Sequence, residues 1–501
     1  MLGLRFRFLS AGFTVVLTAL LNGSCSSLQK TSDSIAIHWW HNYSFFEVPF
    51  ADENKFQELL PDQSPVTTTQ RGFIYRVPGK KVNRISTLGY RQLKDIPFWY
   101  VDPDIKSRSA STDPAVWFSG YKNNEIVAKI LGYFEKERPD LCKRYVIGRS
   151  VRNQPIEALR ITLHPTKNEG DQPALLFNGA HHGNELLSID YVLDMAANLL
   201  DLPAGPPNKQ FQGLHEAERR QLLSAAEVWI VPVVNPDGVD DYWNRSIYFG
   251  RKNTNSVDLN RNYPFQWATG RSLASGRTSE AHDFHGPYAG SEPETKAMMQ
   301  LAKTHRFAIV FSYHTFATRL LFPYTIDDTM NPWPDRAYYY AMRWAAKGES
   351  FRSERRYEAA RKLYSVDGTD QDWLFHSFGS LAYIVEGSMS SPYYSDGLLS
   401  IAGMRPVWKA ALTDFLYGPR LEVRVYDVAR RPVATAQVKI LNEVLFEGES
   451  WTVEPKTGRF DILPGPLESF EIEISAKGYQ TVRKKISCKN ICKEKFYLTS
   501  I

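Results

Sequence analysis

Cysteine is scarce. Four cysteines in 501 residues cannot staple the chain into a disulfide framework. A charge excess is missing too. Sixty Lys and Arg face 55 Asp and Glu, a net charge of +5, too thin over this length to mark a nucleic-acid surface. After residue 21 no apolar run approaches the roughly 20 residues that a membrane-spanning helix needs. A hydrophobic fraction of 43% and a charged fraction of 23% exclude a wholly disordered chain and a collagen. What remains has material for several buried cores, about three domains at roughly 150 residues each.

The amino end reads as an address. Residues 1–24 carry only Arg5 and Arg7 as charges, followed by an apolar run from Phe8 to Leu21 and by Gly23 and Ser24. A basic start, a short apolar stretch and small residues describe a secretory leader. Leu21-Asn22-Gly23-Ser24-Cys25 resembles the cleavage box of bacterial lipoproteins, with Asn22 standing where an apolar residue is usual. The expectation is export, with Cys25 lipidated as the one membrane attachment at the bacterial cell envelope. Without that lipid the chain is an ordinary periplasmic or secreted protein.

Three segments follow. Residues 25–118 are rich in aromatics, among them Trp39, Trp40, Phe45, Phe46, Trp99 and Tyr100, with alternating pieces such as Phe73 to Val77. They predict a small β-containing accessory module, because so many aromatics do not suit a floppy linker. The Ser-rich stretch Lys106–Asp113 reads as a linker in which Arg108 could be cut. From 119 to 418, apolar runs (Ala174–Phe177, Val228–Val234, Phe307–Tyr313, Leu381–Val385) alternate with helical stretches such as Glu185–Leu200. That pattern predicts an α/β domain with a mixed, largely parallel sheet covered by helices. Pro232 weakens the second strand. Ser291, with Glu294 three residues later, predicts a capped helix start. From 419 to 501, alternating runs at Leu421–Tyr426 and Phe470–Ile474, with turns at Gly458, Gly465 and Gly478, predict a small β-sandwich.

The chemistry concentrates at strand ends. His182-Gly183-Asn184-Glu185 follows an apolar strand, and a His and a Glu three apart at such a turn can converge on one point. A third ligand has to come from another strand end, and His314 closes Phe307–Tyr313. Two histidines and a glutamate leave zinc one position for water. Glu386 closes a third apolar run, where a carboxylate is costly without a partner, so it reads as a general base. Each residue alone has a blander reading, as a capping Glu or a hydrogen-bonded structural His. The ordered set does not.

Over about 300 residues the chain resembles the zinc metallocarboxypeptidases. Ile147-Gly148-Arg149-Ser150, Asn235-Pro236-Asp237-Gly238, Gly250-Arg251-Lys252, Asp258-Leu259-Asn260-Arg261-Asn262 and Ser291-Glu292-Pro293-Glu294-Thr295 stand in that family's order. Tyr364 precedes Glu386 by 22 residues, the family's spacing between a mobile tyrosine and the catalytic glutamate. The resemblance implies one zinc ion on His182, Glu185 and His314. It implies Glu386 as proton carrier and Arg251 as oyxanion partner. Asn260 and Arg261 would clamp a peptide's free carboxylate, Tyr364 would close over it, and Asp258 would orient a ligand histidine. Substrates are then peptide or protein carboxyl ends.

The wording His-Gly-Asn-Glu and Gln371-Asp372-Trp373 is similar to the regulatory carboxypeptidase N/E-type branch, which carries a transthyretin-like β-sandwich after the catalytic domain. That branch prefers C-terminal Lys or Arg through an aspartate eleven residues after the third ligand. Here the position is Thr325, with Asp327 and Asp328 close by, and neutral Gln371 lies at the family's pocket position. Two other readings stay open: a cell-wall amidase acting on peptidoglycan stem peptides, and a surface binding or adhesion lipoprotein on an inactive scaffold. Cys488 and Cys492 could form a local disulfide or remain thiols, and Cys142 reads as a packed core thiol.

Overall fold

The computed structural model describes residues 43–501, apart from 62–64, 66, 70, 94–96, 167–171, 204–213, 247–248, 273, 316, 350–355 and 388–393. The expected leader over 1–24 and Cys25 lie outside the described residues. Among the described residues no helix is long and apolar enough to cross a membrane.

An eight-stranded mixed sheet forms the centre. Its strands, in spatial order, are Glu358–Ala360, Arg319–Leu321, Leu381–Glu386, Phe307–His314, Ala174–Asn178, Glu227–Val231, Pro155–Ile161 and Cys142–Arg149. From Leu381–Glu386 to Glu227–Val231 the neighbours run parallel. Antiparallel pairs flank this block. Ala174–Asn178, Glu227–Val231 and Phe307–His314 are buried at every residue, the expected fate of unbroken apolar runs covered on both faces. The second run stops at Val231 rather than Val234, because Pro232 has no N–H to give the ladder.

The helices start later than the sequence pattern suggested. Leu187–Leu200 is helical, so His182 and Glu185 sit in the turn before it. Pro293–His305 starts from Glu292, not from a capping Ser291. The Ser291 hydroxyl is engaged by Glu292 and Asn262 instead, and the Glu294 carboxylate accepts from Asn253 and from the Val151 backbone.

The amino-terminal module contains the expected β-structure. Its antiparallel sheet runs Thr67–Thr68, Gly72–Pro78, Tyr43–Pro49, Arg91–Leu93, with Phe46, Val48, Phe56 and Tyr75 in a small core of their own. The Ser-rich stretch is not a linker. Ile105–Ala110 is a helix whose Ile105, Arg108 and Ser109 are buried on one face. Arg108 is only 6% exposed. It forms two hydrogen bonds to Asp102 and one to the Tyr121 carbonyl, so it offers no exposed cleavage point. Phe98, Ile105 and Trp117 already belong to the main core.

The carboxyl-terminal segment is a two-sheet β-domain with a core of its own. Arg459–Ile462, Arg420–Asp427 and Ile491–Leu498 form one sheet. Trp451–Thr452, Gln437–Ile440, Ser469–Ser475 and Val482–Ser487 form the other. Cys488 and Cys492 are bridged, and Cys142 is a buried free thiol.

Lys122, fully buried, joins the start of the central α/β unit to two helices. Its ammonium meets Asp190 and the Tyr394 hydroxyl. Burial pushes Lys122 down and Asp190 up, so each needs the other to stay charged. Replacing Asp190 alone, as Asp190→Ala, strands a buried ammonium and is expected to destabilise the fold by about 3–5 kcal/mol in denaturant unfolding. The pair Lys122→Met with Asp190→Leu is expected to recover most of that loss. Equal losses in both proteins would contradict the ion-pair account.

Candidate active site

The parallel strands deliver their side chains to one end of the sheet, where open α/β sheets bind ligands. His314 is the last residue of its strand, and Glu386, the last of the next, lies opposite it in the ladder. His182 and Glu185 follow the strand on the other side of His314. The turn that presents them is tight. A Cβ on Gly183 would stand 2.2 Å from the Val239 nitrogen, so only glycine lets the two backbones approach this closely.

His182 Nδ1 lies 2.8 Å from Glu185 Oε1, and His314 Nδ1 lies 2.9 Å from Glu185 Oε2. The three side chains are buried, with candidate ligand atoms within 4.8 Å of one another. Among the described residues this is the one such convergence of His, Cys, Asp and Glu. The donor set fits zinc: two imidazole nitrogens and a carboxylate oxygen, with room for a fourth partner. The support behind it fits as well. His182 Nε2 is 3.0 Å from Asp258 Oδ1, the arrangement that fixes a ligand imidazole's tautomer. Burial works against charge on Glu185, but the two histidines outweigh it and hold its carboxyl well below the usual range.

Arg251 reaches the same place. Its Nη2 donates to Asp258 Oδ2 at 2.6 Å, and its Nη1 lies 3.3 Å from His182 Nδ1. Burial opposes its charge, but Asp258, Tyr364 and Glu185 outweigh that and hold the guanidinium firmly protonated. Asn260 is buried, with Nδ2 3.4 Å from His314 Nε2 and Oδ1 accepting from the Asp370 N–H at 2.9 Å. Arg261 gives Nε to the Ala274 carbonyl and Nη1 to the Asn260 carbonyl. Tyr364 is 51% exposed yet close enough for Arg251 to feel it. Glu386 Oε2 is buried without a hydrogen-bond partner. Burial pushes its carboxyl up to about 8, a shift that a bound cation's charge opposes.

Gln371 is buried, with Nε2 3.4 Å from Thr325 Oγ1. The acidic residues near Thr325 do not enter the interior. Asp327 pairs with Lys362 at the surface, and Asp328 is exposed. The carboxyl group that does meet Thr325 is Asp372, whose two oxygens accept from the Thr325 N–H and whose Oδ2 accepts from Oγ1 at 2.8 Å. Burial pushes Asp372 up to about 7. No role was read for it from the sequence, where it appeared only inside Gln371-Asp372-Trp373. His181 was passed over in the same way. It is fully buried behind the triad, bonded to the Tyr263 hydroxyl at 2.9 Å and stacked on His314. Burial holds it down near 4. The only sequence sign of it was a second histidine at the same strand end.

With this geometry in hand, the comparisons with known proteins are decisive about class. The zinc carboxypeptidase family profile (Peptidase_M14) matches residues 127–411, more than half of the chain, and the chain belongs to that family. It is similar to a carboxypeptidase E of Caenorhabditis elegans, 23% identical over 433 residues, covering 77% of this chain and 86% of that protein. It is also similar to a zinc carboxypeptidase of Saccharothrix mutabilis subsp. capreolus, 27% identical over 319 residues, 58% of this chain and 67% of that one. The fold is shared with carboxypeptidase A from Helicoverpa armigera at a TM-score of 0.52 and 19% identity, over 74% of this chain and 98% of that chain. The protein is thus a zinc-dependent metallocarboxypeptidase, and the likeness to a carboxypeptidase E is in keeping with the N/E-type branch.

Asp258 serves His182 and Arg251 at once, so its removal should reach the metal. Asp258→Ala is expected to weaken zinc affinity roughly 10- to 100-fold, measured by competition with a chelator. Unchanged affinity would remove Asp258 from the support of the site.

Proposed function

We propose that this protein is an exported exopeptidase that removes single residues from the carboxyl ends of peptides or proteins, with a preference for C-terminal Lys or Arg. The observation that carries the reading is the gathering of a buried His182–Glu185–His314 triad and Glu386 at adjacent strand ends, with Arg251 reaching in from a loop.

Zinc, when bound by the triad, supplies a Lewis acid that acidifies water and polarises a carbonyl. The remaining work belongs to the chain. Glu386 takes a proton from the attacking water at its carboxylate and returns it to the departing amine. Its unpartnered buried oxygen supports that role, since no protein donor competes for it. Arg251, already charged and aimed at the triad, faces the negative charge that develops on the carbonyl oxygen. Asn260 and Arg261 bind the terminal carboxylate. With Nε and Nη1 of Arg261 held by two backbone carbonyls, the guanidinium is fixed in orientation before substrate arrives. Such preorganisation is what lets a clamp measure distance from the chain end. Tyr364, on the exposed rim, closes over the bound end.

Asp372 supports the basic preference. It is a buried carboxyl beside Gln371, and a carboxylate has capacity for more donors than the two that Thr325 supplies. Export rests on the leader-like residues 1–24 and anchoring on Cys25. The segment from 419 to 501 stands where the N/E-type branch carries its transthyretin-like domain, and its two-sheet form supports that assignment.

Glu386→Gln is expected to retain zinc and lose most turnover on a peptide substrate. Full turnover with zinc in place would remove the glutamate from its role. Asp372 gives a second test through pH. Its carboxyl is neutral below about 7 and ionised above, so the negative form that attracts Lys or Arg gains as pH rises. The ratio of kcat/KM for a Lys-ended over a Leu-ended peptide is therefore expected to climb between about pH 6 and 8. Asp372→Asn should flatten the climb. A flat or falling ratio in the parent protein would contradict the assignment.

A further inference from the structure

The helix Asp370–Phe378 has two ends with different neighbours. Its first residue is tied to the cleft, because the Asp370 N–H donates to Asn260 Oδ1 at 2.9 Å. Gln371 and Asp372 in its first turn meet Thr325. Its last turn, roughly 10 Å away along the axis, meets the carboxyl-terminal β-domain. The Trp451 indole N–H donates to the His376 carbonyl at 3.2 Å. Past the helix end, Gly379 adopts φ +68, and a Cβ there would stand 2.9 Å from the Trp451 ring, so the packing is close enough to transmit a shift.

A second connection runs from the same β-domain to the other side of the same contact. Tyr324, next to Thr325 in the chain, is fully buried and donates its hydroxyl to Glu449 Oε1 at 2.9 Å. Burial and the Glu449 charge push that phenol well above its usual range, which keeps it a donor. Glu449 and Trp451 are two residues apart on one segment of the β-domain. The contacts therefore close into a circuit: Glu449 to Tyr324, Thr325 to Asp372, the helix to His376, and His376 back to Trp451. A closed circuit of buried, directional bonds holds its members in one geometry, whereas a patch of apolar contact would permit sliding.

We infer that the carboxyl-terminal β-domain is part of the substrate-recognition apparatus, with Glu449 and Trp451 acting as positioning residues that fix Thr325 against Gln371 and Asp372. The inference rests on the reading that this face receives the departing residue. It assigns the β-domain a role in which terminal residue is accepted, separate from its contribution to folding. Glu449 and Trp451 touch no substrate; they act through Tyr324 and the helix.

The test uses the full-length, zinc-loaded chain and two peptides that differ only in a final Lys or Leu. Tyr324→Phe removes one hydroxyl and nothing else from the circuit. It is expected to raise KM for the Lys-ended peptide roughly three- to tenfold and to narrow the Lys-over-Leu ratio of kcat/KM by a similar factor, with kcat within about twofold and zinc content unchanged. Glu449→Gln, which still accepts a hydrogen bond, should stay near the parent values, while Glu449→Ala should follow Tyr324→Phe. A folded, zinc-replete Tyr324→Phe with unchanged KM and ratio overturns the inference. So does a parallel loss of kcat, zinc and thermal midpoint without a change in the ratio, since that marks a purely structural bond. If Tyr324→Phe does not fold, Trp451→Phe, which removes the bond to His376 together with part of the ring packed on Gly379, is read the same way provided it folds and keeps its zinc. A parent protein that releases residues but does not distinguish Lys from Leu would fail the recognition reading itself, a different result from a variant that leaves an existing preference intact.

Discussion

Glu185 faces two histidines at once, and the rest of the cleft is arranged around that fact. One carboxylate bonds His182 Nδ1 with one oxygen and His314 Nδ1 with the other. For this the strands Ala174–Asn178 and Phe307–His314 must be parallel neighbours, so that both release their side chains at the same edge. The turn after the first strand must also press its backbone against Gly238 and Val239 in the helix Pro236–Asn244, which Gly183 permits. The geometry is therefore set by backbone register as much as by the identity of the ligands.

Buried charge is costly unless partnered, and the site contains a great deal of it. Each charge is shared. Asp258 answers His182 with one oxygen and Arg251 with the other. Asn260 lies against His314 and also anchors the helix that carries Gln371 and Asp372. Several buried polar atoms of the site lack a hydrogen-bond partner, among them Glu386 Oε2, Gln371 Oε1, Arg251 Nε and Thr315 Oγ1. In the proposed function, Glu386 and Gln371 face the attacking water and the departing residue, which would supply bonds to their two oxygens. An incomplete buried polar atom is expensive in an ordinary core, so its presence at these places is consistent with a site that is finished by what it binds. The same habit appears at the domain junctions. Lys122 with Asp190 holds the entry segment, and Tyr324 with Glu449 holds the β-domain, each through a directional polar contact inside an apolar setting.

Much of this was legible in the sequence for a simple reason. His182, Glu185, His314 and Glu386 each follow an uninterrupted apolar run, and a parallel sheet converts that one-dimensional pattern into adjacency. Sequence reasoning failed where tertiary contact overrode composition. Lys106–Asp113 has the polar, Ser-rich look of a linker, but Arg108 turns inward to Asp102 and makes it a buried helix. Ser291 has the form of a cap, but Pro293 and the demands of Asn262 reassign its hydroxyl. His181 and Asp372 sit beside residues already singled out, and nothing in spacing alone says which neighbour points in. The pairing of Thr325 with Asp372 joins residues 47 apart, a contact that no local pattern encodes.

The central claim is that the triad and the Asn260–Arg261 pair together make an enzyme that works from the free carboxyl end. The most direct measurement is mass spectrometry of a peptide incubated with the zinc-loaded protein, beside the same peptide with its terminal carboxylate converted to an amide. The account predicts stepwise loss of single residues from the free peptide and essentially none from the amide. Internal cleavage of either peptide, or equal trimming of both, would contradict it.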